Sequence, residues 1–252
     1  MLPEITLLSL KLRSYSLCAA VAALVCAATV WAPLRRCGYT RRAALLSLLA
    51  MAAAFLIGAR LWNVAICPEA YGPQRPWYSL RMVGLSLYGG IAGAAAALLV
   101  SARLAGAKPL AVLDAFVLPF ALAFCIARVG CFLNGCCGGI KTNLPWGVVF
   151  PSDAGLMPRA LFSFPAPAVH PTQLYELALA LAGLPICRRW ARNKHPGGLF
   201  FCYAAWFSAL RLLILPLRSL PYPGWVTYGL YPALYLCCFF LALWGARRAL
   251  HK

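Results

Sequence analysis

Apolar runs of membrane-crossing length recur from one end of this chain to the other, and no other property restricts its fold as strongly. A helix of about 20 predominantly apolar residues crosses the ~30 Å hydrocarbon core of a bilayer. Runs of that kind occupy residues 15–34, 43–66, 80–102, 109–134, 171–187, 197–217 and 225–246. Lipid offers the backbone no hydrogen-bond partner, so each run must satisfy its own amides, as a helix does. The expected fold is therefore all-α, a polytopic membrane protein with seven transmembrane helices. Composition agrees: 63% of the 252 residues are hydrophobic and 11% charged, too little polar surface for a soluble domain of this length. The segments between the runs are too short for a separate soluble unit, so residues 1–252 are expected to form one transmembrane domain.

Charge sets the direction of the spans. Lys11 and Arg13 precede the apolar stretch Ser16–Trp31, an arrangement shared with signal peptides. Arg35, Arg36, Arg41 and Arg42 follow it instead of a small-residue cleavage site, so it reads as a first span. The odd-numbered connections and the C-terminus carry those four arginines with Arg103, Lys108, Arg188, Arg189, Arg192, Lys194, Arg247, Arg248 and Lys252. The opposite side has Lys11, Arg13, Arg75, Arg81, Lys141, Arg159 and Arg218, offset by Glu4, Glu69 and Asp153. The positive-inside rule then orients the chain with its N-terminus out and its C-terminus in. A net charge of +18 also raises nucleic acid as a partner. The cations cluster between apolar spans, however, where they set topology and attract anionic membrane lipids, so no nucleic acid is expected.

Residues 138–169 contain Pro145, Pro151, Pro158, Pro165 and Pro167 and cannot form one continuous helix. They read as an outer loop on the interface. Trp146, Phe150, Phe162 and Phe164 suit either the headgroup boundary or ordinary packing.

Ionisable side chains inside spans face protein or a water-filled cavity and mark function by default. Here they are Arg60, Asp114, Arg128, Glu176 and Arg211. In the expected topology Arg128, Glu176 and Arg211 share the outer membrane depth, and Tyr88, Asn134 and His170 complete a polar constellation there. Glu176 can neutralise one arginine in a buried pair. The other arginine then has a planar fork suited to a phosphate, as on a phospholipid headgroup. Arg60 and Asp114 lie deeper and read as structural. Gly89, Gly90, Gly93, Gly130 and Gly135 suit close helix packing, beside which a polar pocket can also sit. Of twelve cysteines, Cys18, Cys26, Cys125, Cys187, Cys202, Cys237 and Cys238 lie in apolar runs, where a thiol is a small hydrophobe. Cys67, Cys131, Cys136 and Cys137 fall near span ends and are open to chemistry.

Three segments carry a resemblance. Leu87-Tyr88-Gly89-Gly90-Ile91-Ala92-Gly93 resembles the His-Gly-Gly segment in the third span of the prolipoprotein diacylglyceryl transferases. Ala127-Arg128-Val129-Gly130-Cys131-Phe132-Leu133-Asn134-Gly135 resembles that family's Gly-Arg-x-Gly-Asn-Phe-x-Asn-Gly-Glu signature. His170-Pro171-Thr172-Gln173-Leu174-Tyr175-Glu176 is similar to its His-Pro-Ser-Gln-Leu-Tyr-Glu segment. A weaker match places Arg211 on the arginine of the sixth span, so the likeness covers roughly residues 80–246.

The resemblance implies transfer of the diacylglyceryl group of phosphatidylglycerol to the lipobox cysteine thiol of an exported preprotein. It implies a multi-pass protein of the bacterial cytoplasmic (inner) membrane, with the site toward the outer leaflet and no cofactor or metal. Arg128 would bind and stabilise the headgroup phosphate with help from Arg211. Asn134, Gln173, Tyr175 and Glu176 would orient substrate or lock the arginines, and Gly130 and Gly135 would permit close approach.

Four positions depart from the family. Tyr88 stands at its histidine, Cys131 at the Asn after the Gly, Cys136 at the acidic residue after Asn-Gly, and Leu215 at the acidic residue four beyond the span-six arginine. A tyrosine, with an ordinary pKa of about 10, is a poorer general base than histidine. Either His170 or a tyrosinate favoured by the arginines takes the proton, or the chemistry has changed. The rival readings are a same-fold transferase with another acceptor and a non-catalytic protein that binds or transports anionic lipid. A channel fits less well, because the polar groups gather at one leaflet. Cys131, Cys136 and Cys137 read as small fillers, a disulfide or reactive thiols; their spacing does not match the usual zinc patterns.

Overall fold

The computed structural model describes residues 4–7, 10–72, 76–78, 85–150, 167–192, 195–220 and 222–250. A short antiparallel hairpin, β1 (Glu4–Leu7) and β2 (Leu10–Arg13), precedes the helices. Among the described residues seven α-helices follow: α1 (Ser14–Arg36), α2 (Arg41–Ile66), α3 (Leu87–Leu104), α4 (Pro109–Leu133), α5 (Thr172–Trp190), α6 (Gly198–Ile214) and α7 (Tyr231–Leu250). A 3₁₀ turn, Leu215–Leu217, extends α6, and a π-helical stretch, Trp225–Leu230, leads into α7.

Among the described residues six helical segments are long and apolar enough to cross a membrane: Ser14–Arg36, Arg41–Ile66, Leu87–Leu104, Pro109–Leu133, Gly198–Leu217 and Trp225–Ala249. The chain is a multi-pass membrane protein. α5 is long enough, but every 18-residue stretch of it contains Glu176, Arg188 and Arg189. Leu24, Leu46, Ile57, Leu213 and Phe240 are more than half exposed, as befits side chains whose solvent is lipid.

α4 is the centre of the bundle. α1 packs along one side of it, and α5 and α6 along the other. Its Val117, Ala121, Phe124 and Cys125 form a core with Ala180 and Leu184 of α5 and Tyr203, Phe207 and Leu210 of α6. Tyr203 donates to the carbonyl of Ala180 at 3.0 Å and Trp206 to that of Leu179 at 2.8 Å, which locks α5 to α6. Gly183 lies beneath the Trp206 indole, where a Cβ would collide. α2 and α3 approach through Gly58, Gly89 and Gly93, and a Cβ on any of the three would run into backbone of the opposing helix.

Helix ends are built by specific partners. Thr40 accepts from the amide of Ala43 at 3.1 Å and caps α2, after a turn in which Gly38 has φ +95°. Asp114 of α4 accepts from the amides of Gly197 and Phe200, both at 2.7 Å, and so caps α6 from a neighbouring helix. That is the structural role expected of this acid. Arg60 has its guanidinium 6.0 Å from the Tyr71 ring centroid.

At the opposite end of α4 from Asp114, the loop after residue 137 ties three elements together. Gly139 donates to the carbonyl of His170 at 2.9 Å, Ile140 to that of Leu217 at 2.9 Å, and Ser219 to that of Gly138 at 3.2 Å. Val148 and Val169 exchange amide hydrogen bonds at 3.0 Å. The exit of α4, the entry of α5 and the exit of α6 are thereby held at one end of the bundle. The interfacial position expected of 138–169 rests partly on residues 151–166, Phe162 and Phe164 among them, which lie outside the described residues.

Candidate functional site

Glu176, near the start of α5, is 1% exposed and meets three arginines from three places in the chain. Arg128 of α4 places Nε 2.7 Å from Oε2, without the alignment of a hydrogen bond. Arg211 of α6 donates from Nη1 to Oε1. Arg218, just beyond the 3₁₀ turn, donates from Nη1 to the same oxygen at 2.5 Å. Among the described residues no second carboxylate pairs with these guanidiniums, so the cluster carries an excess of two positive charges. Such an excess in a buried setting is sustained by an anion or by water.

The sequence reading expects Glu176 to neutralise one arginine and leave one spare. The structure differs: both Arg128 and Arg211 reach the carboxylate, and Arg218 joins them. Arg218 reads in the sequence as an ordinary loop cation. Its one signal is a spacing of seven from Arg211, two helical turns, which keeps it on the same face when the chain continues as a 3₁₀ turn.

The arginines are not equivalent. Arg211 also donates from Nε to the Tyr88 hydroxyl at 2.6 Å and from Nη2 to that of Tyr235 at 3.3 Å. Its guanidinium carbon lies 5.5 Å and 5.7 Å from those two ring centroids. Tyr88 in turn sits in an aromatic cluster with Tyr231 and Tyr235, at centroid separations of 5.5 and 5.2 Å. Arg211 is therefore fixed in place. Arg128 rests on the Phe124 ring at 4.7 Å and has one further contact, Nη1 to the Cys131 sulfur at 3.9 Å. Among the described residues its Nη2 makes no hydrogen bond, which leaves Arg128 with donors to offer.

Asn134 and Gln173 flank the cluster and are both buried. Gln173 donates to the carbonyl of Cys136 at 2.7 Å, and Thr172 to that of Cys137 at 2.9 Å, so α5 begins by gripping the turn after α4. Six buried side-chain polar atoms among the described residues lack a hydrogen-bond partner. Five of them belong here: Arg128 Nε, Asn134 Nδ2, Gln173 Oε1, Glu176 Oε2 and Arg218 Nε. Arg128 Nε and Glu176 Oε2 face each other in their ion pair, which leaves Asn134 Nδ2, Gln173 Oε1 and Arg218 Nε for polar contact with something else.

The remaining candidates sit further out. His170 is half-buried, and its Nδ1 lies 3.4 Å from the Tyr175 hydroxyl, which also accepts from Trp146 Nε1 at 2.8 Å. His170, Tyr175 and Trp146 thus form a rim group whose hydrogen bonds run among themselves. Gly130 packs on Cys18 of α1, and Gly135 has φ +71° at the end of α4. The Cys131, Cys136 and Cys137 thiols are free and their sulfurs lie within 4.8 Å of one another. Hydrogen bonds from the Cys131 and Cys136 thiols hold that of Cys137 well below the usual thiol range, and Arg128 and Arg218 act in the same direction against burial.

Known proteins are similar to this chain in sequence. The chain is 33% identical over 178 residues to the phosphatidylglycerol–prolipoprotein diacylglyceryl transferase of Chloroflexus aggregans, a match covering 65% of this chain and 58% of the relative. It is 34% identical over 186 residues to that of Nitratidesulfovibrio vulgaris strain Miyazaki F, covering 69% and 65%. For the strain DP4 protein it is 33% over 204 residues, covering 76% and 72%. The chain thus spans about three fifths of the length of the first two relatives. Residues 3–246 match the family described as prolipoprotein diacylglyceryl transferase. With a match that takes in nearly every residue, from the hairpin to the last helix, the chain belongs to the prolipoprotein diacylglyceryl transferase family.

Proposed function

We propose that this protein transfers the diacylglyceryl group of phosphatidylglycerol to the lipobox cysteine thiol of an exported preprotein, with the arginine cluster as its headgroup site. The observation that carries the reading is the buried excess charge of Arg128, Arg211 and Arg218 around the single carboxylate of Glu176. The relatives' names supply the substrates.

In the reaction the acceptor sulfur attacks the glyceryl carbon that bears the phosphate ester. A C–S bond forms, the C–O bond breaks and glycerol phosphate leaves, while the thiol proton passes to a base. Developing negative charge on the leaving phosphate is what preorganised donors stabilise best. Arg128, with donors uncommitted, binds the phosphate. Arg211 is held by Glu176, Tyr88 and Tyr235, and it backs Arg128 with Arg218. Asn134 and Gln173 present the polar atoms that contact the headgroup, and Gly130 and Gly135 let α1 and the turn close around it. His170 and Tyr175, at the rim with Trp146, face the arriving acceptor. His170 is the base in this reading, because the Tyr88 hydroxyl already accepts from a cation. The displacement itself requires no cofactor.

The site faces the outer leaflet of the bacterial inner membrane, with the N-terminus out, the C-terminus in and α5 as the seventh crossing of one transmembrane domain. Supporting this, Arg35, Arg36, Arg103, Arg188, Arg189, Arg247 and Arg248 lie at the helix ends remote from the cluster. A second reading, a lipid-binding protein without catalysis, draws on Tyr88 and Leu215 standing where the family has a histidine and an acid.

The test is rescue of a strain depleted of its own diacylglyceryl transferase, scored by the mass of a reporter lipoprotein. Rescue that Arg128→Ala abolishes supports the transferase. A membrane-inserted, well-expressed protein that fails to rescue but retains phosphatidylglycerol through purification supports the second reading.

A further inference from the structure

α4 ends in a turn that brings two thiols together by backbone geometry alone. The amide of Cys136 donates to the carbonyl of Cys131 at 3.0 Å and that of Gly135 to Phe132 at 3.2 Å, with Gly135 left-handed at φ +71°. This is a Schellman ending, in which the third-from-last helical residue and the second residue past the cap meet side by side. Here those residues are Cys131 and Cys136.

A third thiol joins them at a conformational penalty. Cys137 has φ +61°, and it is the one non-glycine residue in the left-handed region among the described residues. Such a backbone persists only where the surroundings hold it. What holds it is α5: Thr172 grips the Cys137 carbonyl and Gln173 that of Cys136. The result is three sulfurs within 4.8 Å of one another, Cys131 buried and its two partners half-buried.

We propose that Cys131, Cys136 and Cys137 form a three-sulfur site for a soft monovalent cation, Cu(I), that braces the junction of α4 with α5. Sulfur-only donor sets select soft ions such as Cu(I). A structural zinc site wants four ligands, and this cluster offers three protein donors. Loading displaces the protons still on the thiols and leaves a trithiolate complex with two negative charges, which the guanidinium of Arg128 beside Cys131 favours. The ion enters and leaves as Cu(I), so no electron is transferred. Arg128 Nη1 lies 3.9 Å from the Cys131 sulfur, which puts this site beside the headgroup site without sharing its ligands. The cation site stands independently of the transferase reading.

The test uses the full chain, purified in detergent, reduced and kept anaerobic, with Cu(I) supplied as its complex with a chromogenic chelator. The expected result is one Cu(I) retained per chain, with an X-ray absorption spectrum showing three sulfur neighbours and no nitrogen or oxygen. Cys131→Ser, Cys136→Ser and Cys137→Ser should each weaken retention by at least about tenfold, a loss that even a second-sphere change can cause. Cys237→Ser with Cys238→Ser, an exposed pair, should leave it unchanged. Three results overturn the proposal: folded wild type that retains no copper, copper retained equally by the three variants, or Zn(II) held in preference to Cu(I). The wild-type spectrum decides the matter even where a serine variant fails to fold.

Discussion

Arg211 donates from Nε to the hydroxyl of Tyr88 at 2.6 Å, joining α6 to α3 through a half-buried phenol. The tyrosine is an acceptor that holds an arginine still. Replacing it with phenylalanine leaves a buried guanidinium donor unpaired, at about 1–3 kcal/mol. Tyr88→Phe should therefore lower the melting temperature in detergent, and Tyr88→His, which keeps an acceptor nitrogen, should lose less. A Tyr88→Phe protein as stable as wild type would show that this bond does not fix Arg211.

Among the described residues Glu176 is the single counter-charge for three guanidiniums. Its removal strands buried positive charge, and breaking a buried ion pair from one side typically costs about 3–5 kcal/mol. Glu176→Ala should leave little folded protein in the membrane, measured as the monodisperse fraction after detergent extraction. Combining it with Arg218→Gln should recover part of the loss, because one repelling cation is gone. No recovery would mean that Arg218 is not coupled to Glu176.

Arg128 and Arg218 should separate by role. If Arg128 stabilises the departing phosphate, Arg128→Ala should lower transfer about 10²–10³-fold, the scale seen when one preorganised donor is lost. Arg218→Lys keeps a cation next to Glu176 but loses the planar fork, and its defect should be smaller. Transfer rates with labelled phosphatidylglycerol and a lipobox peptide measure both. Equal defects would make the cluster a uniform charge reservoir with no division of labour.

At the α2–α3 contact, a Cβ on Gly89 would overlap the carbonyl of Gly58 and the Trp62 side chain. Gly89→Ala should destabilise by about 1–3 kcal/mol through overpacking. Gly72→Ala is the control, since among the described residues nothing lies within 4 Å of a Cβ there. Thermal unfolding of the two variants in the same detergent should separate them clearly.

Asp114 caps α6 from α4, far along the bundle from the arginines. Asp114→Ala should cost about 0.5–2 kcal/mol, as the loss of a helix cap does, while transfer by the folded fraction stays intact. A selective loss of transfer at unchanged stability would tie this acid to the chemistry.

The helices were legible because lipid imposes a local rule. Each apolar run must pair its own amides, so length and hydropathy along the chain suffice to place the six apolar helices, while α5, with Glu176, Arg188 and Arg189, falls outside that criterion. Arg128, Glu176 and Arg211 were legible for a related reason, since a charge inside an apolar run stands out without any knowledge of its neighbours. What the linear chain could not carry is which charges meet. Arg218 lies past the apolar run of α6, in a loop where a cation is unremarkable. It reaches Glu176 only because the 3₁₀ turn Leu215–Leu217 and the pairing of Gly139 with Arg218 fold that loop back over α5. The three thiols likewise look like scattered small residues until the Schellman turn and the grip of Thr172 and Gln173 gather them. Span positions depend on each segment's own transfer into lipid, which the sequence determines. The pairing of Glu176 with three arginines depends on distances between segments about 35 to 50 residues apart in the chain, and only the packed bundle decides those.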